Sequence, residues 1–325
     1  MQASSSAFND RGVIAAVVSF VVTVIVVAGC SGSGDSTSPP PGGNGDPVWA
    51  DVASRTWSMS AGNEGYKCSG AQVSADEYLT GRRFASPSPA QEEVMLFVTD
   101  VAPTLGNFDC NSGAVAGQLI YAGSIGTTAI EFSGGKGVHI AAGKYLLLNI
   151  HLNNTEPFAI DDSTRVEGRV GKASDVTTPM EMILAGTRNF SIPADNVTHT
   201  ISGHCFAASD QHFVAVLPLM RSHAIHQSVT LMAPSDSVEH AFYDAAFNLG
   251  HVLYTPLSVD LSVSAGARLV VTCSYVNGTG AVLSYGEMSS NETCYSGIYR
   301  YPVVAGAEPF ACSVGSSFDV VHGES

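Results

Sequence analysis

The residues of this chain best suited to chemistry are imidazoles, thiols and carboxylates, and these are the side chains that hold metal ions. Ten histidines and seven cysteines are present. His199, His204 and His212 cluster around Cys205, without the fixed spacing of a metal motif. His223 and His226 flank Ala224-Ile225. Three-residue spacing puts two strand residues on opposite faces, so only a turn would bring both imidazoles to one ion. Asp161-Asp162 follows the apolar run KYLLLNIHL in a polar stretch that reads as a solvated turn. No GxSxG, GxxxxGK[ST], HExxH or GxGxxG occurs, which removes the usual signatures of acyl transfer, nucleotide binding and zinc proteolysis.

The elements that must position these residues read as strands. Short runs such as EVMLFVTD, GQLIYAG, KYLLLNIHL, HFVAVLPL, QSVTLMA and ARLVVTCSYV are rich in Val, Ile, Tyr and Thr and bounded by turn residues. No long amphipathic helix or internal repeat is evident. The expected fold class is all-β. A length of 325 residues suggests two domains, and ASDVTTP (Ala173 to Pro179) is a plausible linker between them. The balance of 14 Lys+Arg against 29 Asp+Glu gives a net charge of -15. Such a chain repels phosphate backbones, so nucleic acid is not an expected partner.

Residues 1–29 read as a signal peptide: Arg11 precedes an apolar run of seventeen, Val13 to Gly29. Val27-Ala28-Gly29-Cys30 resembles the bacterial lipobox, which implies lipidation of Cys30 as the mature N-terminus. The expected location is the bacterial cell envelope, with the chain exported and held to a membrane through that lipid. Residues 30–47, SGSGDSTSPPPGGNGDP after the cysteine, form a Pro/Gly-rich tether. Six cysteines remain, an even set in an oxidising compartment, where three disulfides are the default.

In chain order, several segments carry a family resemblance: YKCSG, EEVMLF, GNFDC, QLIYAG and GKGVHIAAGKYLLLNIHLNNT, then MILAG, the Cys205 segment, HFVAVLPLMRSHAIHQ, RLVVTC and GEMSSNETCYSGIYRYP. Together, from about Tyr66 to Cys312, they resemble the copper type II ascorbate-dependent monooxygenases, of the peptidylglycine alpha-hydroxylating and dopamine beta-monooxygenase type. The resemblance implies two consecutive jelly-roll-like antiparallel β-sandwiches stapled by disulfides, at 48–178 and 179–318, followed by a short tail at 319–325. It pairs Cys68 with Cys110, Cys205 with Cys312, and Cys273 with Cys294. It also implies copper as cofactor, ascorbate as reductant, and hydroxylation of a C–H bond of a small molecule with O2.

The family holds one copper by an adjacent His pair and a strand His, and the other by a His-x-His pair and a Met. Here Glu92 and Glu93 stand at the adjacent pair, and His151 at the strand His. In one register Leu219 and Arg221 stand at the His-x-His pair; in the other, Arg221 and His223. Thr293 stands at the Met, with Met288 five residues upstream. Copper that cycles between Cu(I) and Cu(II) favours imidazole and thioether donors. Two carboxylates and one imidazole suit Zn²⁺, Mn²⁺ or Cu²⁺ instead, and a guanidinium has no lone pair to give. Both carboxylates of an adjacent pair reach one metal only at a strand end or bulge; otherwise Glu92 and Glu93 read as solvated. Besides the family's monooxygenase activity, two alternatives therefore stand: a non-catalytic surface or binding lipoprotein on the same fold, and a single non-copper metal site at Glu92, Glu93 and His151. A metal role for His223 and His226, brought together by a turn, is a further option.

Overall fold

The structure, a computed structural model, describes residues 48–304 apart from 86–87, 113–116, 234 and 236, and leaves out the side chains of 238 and 239. The segments expected to be a signal peptide and tether, the expected lipidation site Cys30, Cys312 and the expected tail lie outside the described residues.

Strands are numbered in chain order. One sheet runs β1 (Val48–Met59), β10 (Ile160–Gly171), β3 (Glu77–Ala85), β8 (Lys136–Ile140) and β11 (Thr178–Pro179), with β7 (Ile130–Glu131) also on β3. A second runs β5 (Gly106–Cys110), β2 (Glu64–Gln72), β9 (Tyr145–Asn153), β4 (Gln91–Thr99) and β6 (Gln118–Ser124). A third runs β12 (Glu181–Thr187), β21 (Cys294–Tyr301), β15 (Gln211–Leu219) and β18 (Thr255–Val263). The fourth runs β14 (Thr198–Phe206), β19 (Arg268–Val276), β16 (Ala224–Met232) and β17 (Val238–Ala246), and β13 (Ser191–Ile192) pairs with β20 (Leu283–Ser284). The only helices among the described residues are two 3-10 turns, Ala173–Asp175 and Leu249–His251.

The side-chain pattern explains the layering. β19 alternates buried and half-buried residues along RLVVTCSYV, as a strand with one wet face must. β9, β12 and β21 are instead buried almost throughout, because both their faces are covered. β6 and β12 pack together. Across that junction the Tyr299 hydroxyl donates to Ile120 O (2.8 Å) and the Tyr254 hydroxyl to Ala122 O (2.5 Å). One apolar core therefore runs through all four sheets. Each fully buried Leu, Ile or Phe in it contributes roughly 1.5–3 kcal/mol.

This doubly covered junction is why two separate sandwiches are not clearly resolved: the sheets form a ring like a four-bladed propeller. The Ala173 to Pro179 stretch, read as a linker, is tied in. It holds the first 3-10 turn and β11, which pairs in parallel with β8. Asp161 and Asp162 lie on β10 opposite Ser58 and Trp57 of β1, not in a turn. Cys68–Cys110 joins β2 to β5, and Cys273–Cys294 joins the fourth sheet to the third, with Cα–Cα distances of 5.8 and 5.9 Å. Cys205 is disulfide-bonded as well.

Candidate functional site

β4 begins with a bulge. Its pairing to β9 steps from Gln91↔Leu152 to Glu93↔His151, and Glu92 is the extra residue. The bulge brings both adjacent carboxylates to one locus, where each side chain is only 19% exposed. They are therefore not the solvated residues that their charge suggested. β9 is central in its sheet, so His151 is flanked by Tyr66 of β2 and Glu93 of β4, and its side chain is 1% exposed. The Tyr66 ring stacks on the imidazole, with centroids 4.6 Å apart.

Just beyond β15, a tight turn closed by Ala224 N donating to Arg221 O (3.2 Å) aims Arg221 at this locus. Its Nη1 donates to Glu92 Oε2 (3.2 Å) and to His151 Nδ1 (3.3 Å). Its Nη2 donates to Glu287 O (2.9 Å) and lies 3.6 Å from Glu287 Oε2 and 3.7 Å from Glu93 Oε2. Glu292 braces the turn, accepting from Arg221 N (3.1 Å) and His223 N (2.7 Å).

The loop joining β20 to β21 is clamped onto the same cluster. The Tyr66 hydroxyl donates to Glu287 O. Ser289 donates through N to Glu64 Oε1 (2.5 Å) and through Oγ to Glu64 Oε2 (3.0 Å). Glu64 Oε1 also lies 2.8 Å from His151 Nε2.

Charge follows from this packing. Burial, reinforced by the Arg221 charge, depresses His151 to about 4 against the pull of Glu64, so the ring is neutral near pH 7. The hydrogen-bond network then assigns the proton to Nε2, donated to Glu64, and leaves the Nδ1 lone pair accepting from Arg221. Burial raises Glu93 to about 7, opposed by Arg221 and reinforced by Glu287 and Glu92. Burial also raises Glu292 to about 7, opposed by the backbone N–H groups of His223, Arg221 and Thr293 and by the Arg221 charge. For Arg221 itself, burial is outweighed by Glu93, Tyr66, Glu287 and Glu92, which hold its pKa above the usual value.

Donor atoms of Glu64, Glu92 and His151 lie within 4.8 Å of one another, and no other such group of three is found among the described residues. Their arrangement does not make a cage. Glu64 faces Nε2 and Glu92 faces Nδ1, opposite edges of one ring. An ion on either nitrogen points away from the other carboxylate, and Arg221 already fills the Nδ1 side. Copper fits these residues poorly for the same reason: both imidazole nitrogens are engaged and a permanent cation sits among the acids.

Of the other residues singled out, His223 contributes its backbone N–H, and His226 lies away on β16, paired with Asp244 (2.8 Å). Leu219 is buried, and Thr293 Oγ1 donates to its carbonyl oxygen (3.3 Å). Met288 is exposed on the clamped loop. His199 pairs with Asp195, His204 packs edge-on to Phe206, and His212 stacks on Tyr301. The motifs YKCSG and GEMSSNETC contain Tyr66, Glu287, Ser289 and Glu292, but their convergence on Arg221 is a tertiary fact. Glu64, before YKCSG, had no signal of its own.

The comparisons with known proteins add little. No family model matches this chain, and no curated protein does. Solved structures that match include the infectious bursal disease virus Gt strain, at 11% identity and a TM-score of 0.19 over 85% of this chain and 77% of that one. The Gx strain of the same virus matches at 11% identity and a TM-score of 0.22 over 85% and 79%. Likeness at this level carries no argument about fold or function.

Proposed function

We propose that the chain is a lipid-anchored protein of the bacterial cell envelope, built on a framework resembling the copper type II ascorbate-dependent monooxygenases and serving as a non-catalytic surface or binding module. The observation that carries this reading is the Arg221 guanidinium, bonded at once to Glu92 and to the Nδ1 lone pair of His151. Ion pairing replaces coordination at the place where the resemblance puts copper. The cavity beside Arg221, lined by Glu92, Glu93, Ser124 and Leu219, is about 40 Å³, room for water but far below the several hundred Å³ of ordinary ligand pockets.

The two-half organisation, 48–178 and 179–318, belongs to the same reading. Its support is that β1 to β11 build the first two sheets while β12 to β21 build the others. Export and lipidation rest on the lipobox at Cys30 and agree with the disulfides.

The test is oxygen uptake by the purified mature protein given Cu²⁺, ascorbate and a panel of small C–H substrates. The expected uptake equals that of free-copper controls. Uptake above the controls, coupled to a hydroxylated product, overturns the reading and restores the copper monooxygenase.

One observation favours a second reading, a single Zn²⁺ or Mn²⁺ ion: the proximity of Glu64, Glu92 and His151. It differs from the sequence-based set by exchanging Glu93 for Glu64, and it requires Arg221 to withdraw. Unchanged metal content in His151→Ala eliminates it.

A further inference from the structure

Arg82 sits in the middle of β3, opposite Gly168 of β10 and Ile130 of β7. Its side chain is fully buried, none of its Nε, Nη1 and Nη2 atoms has an acceptor within hydrogen-bond distance, and the Tyr299 hydroxyl that interacts with it carries no charge to balance it. The guanidinium carbon lies 5.9 Å from the Phe132 ring centroid and 5.8 Å from that of Tyr299. Tyr299 belongs to β21, and Tyr121 of β6 is close enough to feel the Arg82 charge, so this charge lies where three sheets meet. The Tyr121 hydroxyl is likewise buried without a partner, whereas those of Tyr254 and Tyr299 donate to backbone carbonyls.

A guanidinium cannot lose its proton, and an unpaired charge is among the most costly groups to bury. Elsewhere this protein pairs such groups. Arg300, also buried, is held by Glu181 (2.9 and 2.8 Å) and Gln211 (2.8 Å); Arg221 has its carboxylates. Arg82 has none: Glu77, on the same strand, feels only burial and no guanidinium. The two aromatic faces attract the cation but leave its N–H groups without acceptors.

We propose that Arg82 and the Tyr121 hydroxyl form an enclosed site for a small monovalent anion of the halide class. One guanidinium balances one negative charge, and walls made by Phe132, Tyr254 and Tyr299 offer no further cation to a divalent oxyanion. Water would accept hydrogen bonds but would leave the charge unbalanced. The site is separate from the Arg221 cluster and does not depend on its function.

Thermal melts of the mature protein test it, in chloride or bromide against gluconate at matched ionic strength. The expected result is a rise of about 3 °C per tenfold increase in halide, as for a ligand bound to the native state alone. Arg82→Met, which keeps the length of the apolar stem, removes the rise, and Tyr121→Phe weakens it. An anion too enclosed to exchange is read by ion chromatography instead: protein desalted into halide-free buffer and then denatured releases one halide per chain. That second readout also decides the matter if Arg82→Met does not fold. Equal melts in chloride and gluconate with no halide released overturn the proposal, as does a halide dependence that survives Arg82→Met.

Discussion

The Arg221 guanidinium rests 3.2 Å from the Glu92 carboxylate, joining the turn after β15 to the bulge that opens β4. Neither group is in bulk solvent: their side chains are 8% and 19% exposed. The pair therefore works at reduced dielectric, where each charge depends on the other. Glu93 and Glu287 share the same cation, and His151 is held between it and Glu64.

Removing the cation should be far worse than removing one of the acids. Arg221→Met leaves buried carboxylates without their counter-charge, and the expected loss is about 3–5 kcal/mol in a urea unfolding series. Arg221→Met with Glu92→Gln should recover part of that loss, because one stranded charge goes with it. A loss below about 1 kcal/mol, the value of an exposed pair, would show the cluster to be solvated.

Stability should fall as pH rises from about 4.5 to about 7. Glu93 and Glu292 titrate at about 7 when folded against 4.5 for a free glutamate, so the folded state holds their protons more tightly. His151, lowered from 6.5 to about 4, acts oppositely and loses stability as pH falls through that range. Two carboxyls against one imidazole leave a net loss of about 3 kcal/mol on going up in pH. Glu93→Gln should flatten the profile, since Glu292 and His151 then nearly cancel. Denaturation midpoints at pH 4.5, 5.5, 7 and 8 read this directly; a wild-type profile that rises across the range contradicts it.

Glu64 should govern the loop between β20 and β21, because it accepts from both the amide and the hydroxyl of Ser289. Glu64→Ala should speed hydrogen exchange at the Ser289 amide by tenfold or more, on the order of one charge-assisted hydrogen bond. Glu64→Gln, which keeps an acceptor, should speed it less. Equal exchange in both variants and the wild type would place the clamp elsewhere.

Non-reducing peptide mapping should recover Cys68–Cys110, Cys273–Cys294 and Cys205–Cys312, with Cys30 in a lipid-modified N-terminal peptide. Replacing Cys273 and Cys294 together by serine should cost about 2–4 kcal/mol. An unmodified Cys30, or a bridge that includes it, contradicts the lipoprotein reading.

Strand positions were legible because their signals are local. EVMLFVTD, KYLLLNIHL and ARLVVTCSYV became β4, β9 and β19 almost as written. The ring of sheets was not, because burial of both faces of β12 and β21 depends on what packs against them. At the site, Glu92, Glu93, His151 and Arg221 were each singled out in the sequence, at positions where the resemblance puts metal ligands. That they satisfy one another required the β4 bulge and the turn at Arg221, neither of which has a sequence signature here. Arg82 gave no signal either: an arginine in a strand ordinarily reads as a surface residue.

The central claim is that Arg221 stands in place of a metal, and metal analysis of the purified mature protein after copper loading and desalting tests it most directly. The account predicts less than about one-tenth of a copper per chain, and no change in melting temperature on chelation. One or two coppers retained per chain, with a melting temperature that falls when they are chelated, would contradict it.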